Sequence, residues 1–440
     1  MAETARGMEK AGRKWQGPWM RSIVRFVERR SGLIVLVALA VAAVASVGYS
    51  LYLGDSLRFP DERLYVQIAD VTSRTGIYSA DGIVPTAIKA PGYPLFLTFV
   101  ALLSKDVAVF RLVNFALYCL SLILVYRLGK RVFSGWAGAL AVLLCLSYPV
   151  LFFTASTLYP QTLASLLMLL YVSLQFTPGR LGVASAAAAG AVGGLTVLTV
   201  PLLVVIIALG LAWRGVSKKD WRGVIISAAV GGLMLLGWTL RNYQVFHRIV
   251  VISTDAGANL LIGNNPNAMA NSGPTVDLTE YYQLAGESGI SGEAEFNSFY
   301  TEQALAWMRE NPAAALRLYA MKAANAFNYR NDLATSAEAS PWRDLLALVS
   351  YGFLMALFVG RLLLAIRVKL TSLEGFILVS YIAFALVSAV FFTRIRYRVP
   401  LDYLLALFDA VFVYQLARLV GGLARRDGPG KIALGTTRSS

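Results

Sequence analysis

The chain has 440 residues, 57% of them drawn from Ala, Val, Ile, Leu, Met, Phe, Trp, Tyr and Cys, with only 15% charged and a formal net charge of +15. A mean hydropathy of +0.61 excludes an ordinary soluble domain and fits a polytopic membrane protein. Lys and Arg fall in short loops between apolar runs and in the two tails, the positive-inside pattern, which leaves nucleic acid out as the partner of that charge. The lone His247 rules out HExxH, paired-His and Ser-His-Asp chemistry. Cys119 and Cys145 lie inside apolar runs and support neither a disulfide framework nor a thiolate metal site. Chemistry must rest on carboxylates, Arg, Lys and Tyr.

Residues 1–30 are polar and basic, with Trp15 and Trp19 suited to a headgroup interface, and read as a cytoplasmic tail. The run 31–53 is long enough to span at about 20 residues per crossing. It lacks a small-residue cleavage site and reads as a retained helix. Residues 54–106 mix acids with bases, and their apolar pieces, 64–71 and 93–103, are too short to span; they read as interfacial helices in a first external loop. Spans are expected at 107–128, 136–155 and 161–176.

The stretch 181–213 is long for one span and short for two. The basic loops at Arg180 and at Arg214, Lys218, Lys219 and Arg222 belong on one side, so the chain is expected to turn near Thr199-Val200-Pro201. A span at 223–240 ends the N-terminal membrane region, 31–240. Residues 241–342 hold no spanning run and form an external loop domain, with helices over 293–308 and 313–327 and Pro312 in a first turn. Spans at 344–364, 373–392 and 401–420 make up the C-terminal membrane region, 343–420, with Arg361, Arg367 and Lys369 at its cytoplasmic side. Residues 421–440 read as a disordered cytoplasmic tail. The fold class is all-α, with about ten transmembrane helices and both ends inside.

Within this frame Phe59-Pro60-Asp61-Glu62-Arg63-Leu64-Tyr65 stands out. Ionised groups beside hydrocarbon are tolerated where they face a cavity or a cationic ligand. A carboxylate that deprotonates a hydroxyl while cations hold an anionic leaving group is a compact way to run glycosyl transfer. A solvated loop acid is the competing reading. Lys89-Ala90-Pro91-Gly92-Tyr93-Pro94 presents a cation at the start of a turn, with a surface lysine near headgroups as its alternative. Arg394-Ile395-Arg396-Tyr397-Arg398-Val399-Pro400 falls on the outside by parity, and so asks for an anionic partner, either a phosphate or lipid headgroups. Gly263-Asn264-Asn265-Pro266-Asn267 forms a turn and lacks the ending of a phosphate loop. The glycine pairs Gly193-Gly194 and Gly231-Gly232 read as close helix packing.

Asp61-Glu62 with Tyr65, the run from Lys89 to Leu95, Arg241-Asn242-Tyr243, the run from Asn259 to Pro266, the segment from Asn311-Pro312 to Lys322 and Arg396-Tyr397-Arg398-Val399-Pro400 resemble in order and topology the GT-C glycosyltransferases of the branch that includes protein O-mannosyltransferases and lipid A aminoarabinose transferases. The resemblance runs over most of residues 30–420. It implies a polyprenyl-phosphate-linked sugar donor, a lipid, glycan or protein acceptor, and inversion at the anomeric carbon by one direct displacement in a bacterial inner membrane, with the site facing the periplasm. It also implies Asp61 as catalytic base with Glu62 beside it, Lys89 on the donor phosphate, and Arg396, Arg398 and Arg241 as further phosphate contacts. Arg58, Tyr65, Tyr93, Asn264, Arg394 and Tyr397 complete the expected site. One departure is Gln161, where such enzymes often carry a carboxylate; a second acid and a carboxylate-bridged metal are therefore not expected. No metal site or other cofactor is assigned, and a loosely bound Mg²⁺ or Mn²⁺ on the phosphate is left open. With nothing large following the membrane region, no soluble domain is expected to select the acceptor.

Two other classes share parts of this pattern. A surface-polysaccharide polymerase or ligase with a diphosphate-linked donor would use the external arginines without needing the Asp61-Glu62 loop. A flippase or transporter would carry inverted repeats and midplane charges, whereas here the charges gather at one membrane face.

Overall fold

The computed structural model describes residues 18–271, 273, 275–330 and 341–420, with side chains described from residue 29 and through residue 419. The tail at 421–440 and most of the tail at 1–30 lie outside the described residues, as does part of the segment 241–342. Among the described residues the structure is helical, with one isolated bridge between Ser79 and Pro85.

The helices, in chain order, are α1 (Pro18–Leu53), α2 (Pro60–Thr75), α3 (Gly92–Ala101), α4 (Val107–Val132), α5 (Gly135–Ser147), α6 (Pro149–Ser156), α7 (Gln161–Gln175), α8 (Val183–Thr199) and α9 (Val204–Lys218). After them come α10 (Trp221–Phe246), α11 (Ala256–Gly263), α12 (Thr279–Glu287), α13 (Glu293–Glu310), α14 (Pro312–Asn325), α15 (Pro341–Ala365), α16 (Ser372–Ser388) and α17 (Ile395–Val420). The two short helices expected in the first external loop are α2 and α3. The chain turns at Val200, whose extended backbone and following Pro201 separate α8 from a single 3-10 turn and α9.

Two expectations are corrected. The single span at 136–155 is broken: α5 and α6 meet at 66°, because Pro149 cannot donate to the helix and clashes with the preceding turn. The last span, expected from residue 401, starts at Ile395 with Pro400 inside it, so Arg396 and Arg398 stand in the first turns of a helix. Arg361, in the last turns of α15, is fully buried; its guanidinium pairs with Glu374 at 2.6 Å and donates to the carbonyls of Val368 and Lys369, closing the α15–α16 turn.

Six described helices are long and apolar enough to cross a membrane, and α5 with α6 makes a seventh if the bent pair is one span. The other crossings of a ten-span count fall on α7, α8 and α16, of 15, 17 and 17 residues. α17 is the central post, with 72% of its apolar window buried against 11% for α10. Around it α1, α4, α5, α7, α15 and α16 share a core that includes Tyr118, Cys145, Met168, Tyr381 and Phe408. α8 lies against α10 through glycine: a Cβ on Gly194 would sit 3.2 Å from Gly231 Cα, whereas Gly232 faces open space and takes no part.

Candidate active site

Pro60 starts α2 at a position where a missing N–H costs nothing, and Phe59 before it is extended (φ −121°, ψ 146°). Glu62, in the third helical position, turns back and accepts from the amides of Arg58 at 2.8 Å and Phe59 at 2.9 Å. Its other oxygen accepts from the amide of Leu158 at 2.9 Å, and the residue is fully buried. Both carboxylate oxygens are therefore committed to the backbone, tying α2 to the loop before α7. Glu62 is a fastener.

Asp61 points elsewhere. Its Oδ1 lies 3.3 Å from Lys89 Nζ and its Oδ2 3.3 Å from Arg396 Nη1, with 31% of the side chain exposed. Lys89 also meets Asp255 at 3.5 Å, and the Ser253 hydroxyl donates to the other Asp255 oxygen at 2.7 Å. Lys89 Nζ stands 5.9 Å from the Tyr65 ring, while the Arg396 guanidinium lies over Tyr159 at 4.9 Å and Tyr397 at 5.3 Å. Four separate stretches of chain thus place two carboxylates and two cations on one another. Arg396 is held firmly because it stands in the first turn of the central helix.

Burial pushes the Asp61 carboxyl up, but Lys89 and Arg396 outweigh it and hold it below the ordinary carboxylate value. For Lys89, burial favours the neutral amine, yet the Tyr65 phenol, Asp255 and Asp61 hold its pKa above the usual lysine value. Burial pushes the Tyr159 phenol up to about 12. In this arrangement Asp61, Lys89 and Arg396 are charged at neutral pH.

The other expected site residues divide. Tyr65 packs edge-on to Tyr93 at 5.4 Å and to Tyr159 at 6.2 Å, making an aromatic floor. Tyr93 is fully buried, its hydroxyl paired with Asn114. Tyr397 lies beside Arg396 and against Phe392. Arg58 donates to Ser156 at 2.9 Å and to Tyr49 at 3.3 Å and covers Phe153. Arg394 packs on Gly273, where a Cβ would collide with its guanidinium. Asn264 accepts from the buried Lys322 at 3.0 Å, and Lys322 also donates to the carbonyls of Gly263 and Phe391. Gln161 is 4% exposed, and its amide oxygen makes no hydrogen bond among the described residues.

Two expected phosphate contacts are engaged elsewhere. Arg241 donates to the carbonyls of Thr86 at 2.8 Å and Tyr78 at 3.3 Å and stacks over Trp238. Arg398 donates to Asp402, to the carbonyls of Ala326 and Asn328 and to the Tyr148 hydroxyl, with Tyr351 beneath it at 3.7 Å. Residues two apart point to one side in extended chain but roughly 200° apart on a helix. Because the cluster is helical, Arg396 and Arg398 part company.

Sequence reasoning missed Asp255, Ser253 and Tyr159. Asp255 stands directly before α11, after Ser253-Thr254, where an acid reads as an ordinary helix start. Only the return of that segment onto Lys89 distinguishes it. Among the described residues no group of three His, Cys, Asp or Glu side chains could hold a metal ion. A divalent ion fits poorly at Asp61, since each of its oxygens already faces a cation.

No protein-family model matches the sequence, and no curated relative matches it. Among solved structures, the archaeal oligosaccharyltransferase AglB from Archaeoglobus fulgidus, in complex with an inhibitory peptide and a dolichol-phosphate, is similar at 14% identity and a TM-score of 0.50 over 90% of this chain. The fold is GT-C-like. The chain spans about half of AglB, 52% of its length. ArnT from Cupriavidus metallidurans bound to undecaprenyl phosphate aligns at 15% identity and a TM-score of 0.42, over 88% of this chain and 76% of ArnT. At these identities it is the arrangement of helices that is shared, and the chemistry must be argued from the residues.

Proposed function

We propose that this chain is an integral-membrane inverting glycosyltransferase that moves a sugar from a polyprenyl-phosphate-linked donor to a hydroxyl of a lipid, glycan or protein acceptor. The observation that supports this reading best is Asp61 clamped between Lys89 and Arg396 at the mouth of the bundle. Dolichol-phosphate accompanies AglB, and a lipid phosphate of that class is the donor carrier proposed here. The membrane is proposed to be the bacterial inner membrane, with this mouth on the periplasmic side and the Lys218–Arg222 loop on the cytoplasmic side.

In the proposed reaction the acceptor hydroxyl oxygen attacks the anomeric carbon and its proton passes to Asp61. The bond from that carbon to the phosphate oxygen breaks, and the electron pair leaves with the polyprenyl phosphate, whose charge Lys89 and Arg396 stabilise. One displacement inverts the centre. Such a line requires base and leaving phosphate on opposite sides of the sugar, so the two cations cannot remain on Asp61. The donor phosphate draws them away, and Asp61, relieved of its cations and facing a new anion, becomes a stronger base. The Arg396 Nε, without a hydrogen-bond partner among the described residues, is a donor still to be used. Tyr159, partly exposed and backed by the buried Tyr65 and Tyr93, supplies an aromatic surface against which a sugar ring can lie.

Purified protein in nanodiscs, offered polyprenyl-phosphate sugars labelled in the sugar, should transfer label to an acceptor extract from the source envelope. Mass spectrometry of envelope lipids, glycans and proteins with and without the gene should show one modification lost. An unchanged envelope, together with no transfer from any lipid-phosphate sugar, would overturn the proposal.

A further inference from the structure

The loop that ends in Lys89 is built on a hairpin, residues 78–86, closed by the amide of Thr86 donating to the Tyr78 carbonyl at 2.9 Å. Its tip exposes Ile83 at 80% and Val84 at 63%. Residues 249–251 expose two more aliphatic side chains, Ile249 at 79% and Val251 at 57%. Clustered exposed aliphatics outside the spanning helices need a partner.

The height of both loops is fixed by α10. This helix has 26 residues, roughly 39 Å at 1.5 Å each, which exceeds a hydrocarbon core of about 30 Å. Counting about 20 residues from its basic end at Arg222 places the far border of the hydrocarbon near Tyr243. His247, in the left-handed region at φ 51°, then ends the helix and turns the chain back along it. Asn242 donates to the Val250 carbonyl at 2.9 Å, Thr239 to the Val251 carbonyl at 2.9 Å and Trp238 to the Ile252 carbonyl at 2.7 Å. Residues 250–252 therefore sit level with 238–242, just within that border. The base of the hairpin shares the level, because Arg241 donates to the carbonyls of both Tyr78 and Thr86.

A loop at that depth must satisfy its own backbone, since lipid offers no partners. The tip does so. The Ser79 hydroxyl accepts from the amides of Asp81 at 3.2 Å and Gly82 at 3.0 Å and donates to the Val84 carbonyl at 2.7 Å. Asp81 Oδ1 accepts from the amides of Ile83 at 2.8 Å and Val84 at 2.9 Å. The exposed Asp81 carboxylate sets the limit of insertion at headgroup level.

We propose that Ile83 and Val84, with Ile249 and Val251, seat these two loops in the acyl-chain border of the bilayer beside α10, so that the membrane itself fixes the loop carrying Lys89. The occupant is lipid because the patch continues the surface of the span that the protein buries least, 11% of its apolar window. This inference stands independently of glycosyl transfer.

The test uses the whole chain in phosphatidylcholine nanodiscs without any donor, carrying C119A and C145A, with single nitroxide-labelled cysteines at Ile83, Val84 or Ile249. Collisions with oxygen, which partitions into lipid, should exceed collisions with a water-soluble nickel chelate several-fold, as for a label replacing the exposed Leu233 of α10. A label replacing Ser288, exposed at the end of α12, should show the reverse. Labels at all three sites behaving like Ser288 would overturn the proposal. So would labels shielded from both reagents, which would mean that protein and not lipid covers the patch. Ile249 keeps the test open should a label at the hairpin disturb it.

Discussion

Around Asp61 the charges meet at 3.3 to 3.5 Å with 16 to 31% of each side chain exposed, whereas Arg361 and Glu374 meet at 2.6 Å with none exposed. Arg214 and Asp220, 2.7 Å apart and buried, belong with the second kind. In the buried pairs the remaining donors close turns: Arg214 reaches the carbonyls of Gln175 and Gly179, and Arg361 those of Val368 and Lys369. Nothing there is free to receive a ligand. The Asp61 group is longer, wetter and shared among four residues, so each partner can be exchanged for a substrate atom at small cost. The fold separates these duties even between sequence neighbours, giving Glu62 and Arg398 to holding and Asp61 and Arg396 to the mouth.

The sharpest way to break that contrast is to remove one member of a buried pair. Glu374→Ala leaves Arg361 buried without its carboxylate, and thermal unfolding in detergent should show a loss of about 3–5 kcal/mol. A loss below about 1 kcal/mol would mean that the pair is not structural. Arg398→Ala should likewise lower stability by a few kcal/mol, while Arg396→Ala leaves unfolding nearly unchanged and weakens donor binding by about 1.5–3 kcal/mol. If both arginines behave alike, the helical parting of their side chains has no functional meaning. Glu62→Gln strands backbone amides and should cost about 1–3 kcal/mol of stability, with turnover per folded molecule largely kept. Asp255→Asn, at a partly buried and longer pair, should shift apparent donor affinity by only about 0.2–1 kcal/mol.

Protonation sharpens the same comparison. Asp61 is held below its ordinary value of 3.8 in the free enzyme, so its pairing stabilises the fold above that value and is lost as pH falls through the folded pKa. The acid limb of kcat/KM, which reports the free enzyme, should therefore lie below about pH 4. The limb of kcat, which reports the donor complex, should lie higher once the phosphate has taken Lys89 and Arg396. Coincident limbs would contradict the exchange of cations.

Much of the fold was legible because long apolar runs, basic loops and the Thr199-Val200-Pro201 turn act locally. The misread places depend on long-range or helical geometry. Nothing near Glu62 announces that its partner is the amide of Leu158, 96 residues away, and nothing near Asp255 announces Lys89, 166 residues away. Arg396 and Arg398 were grouped because parity places the whole basic run outside, and one turn of helix was enough to divide them.

The most direct measurement is single-turnover transfer by Asp61→Asn in nanodiscs, with donor affinity measured on the same sample. The substitution keeps the shape and removes the base, so transfer should fall by about 10²–10⁴ while donor still binds at least as tightly, since a competitor for Lys89 and Arg396 has lost its charge. Near-normal turnover would contradict Asp61 as the base, and loss of donor binding in place of turnover would make the cluster a structural clamp.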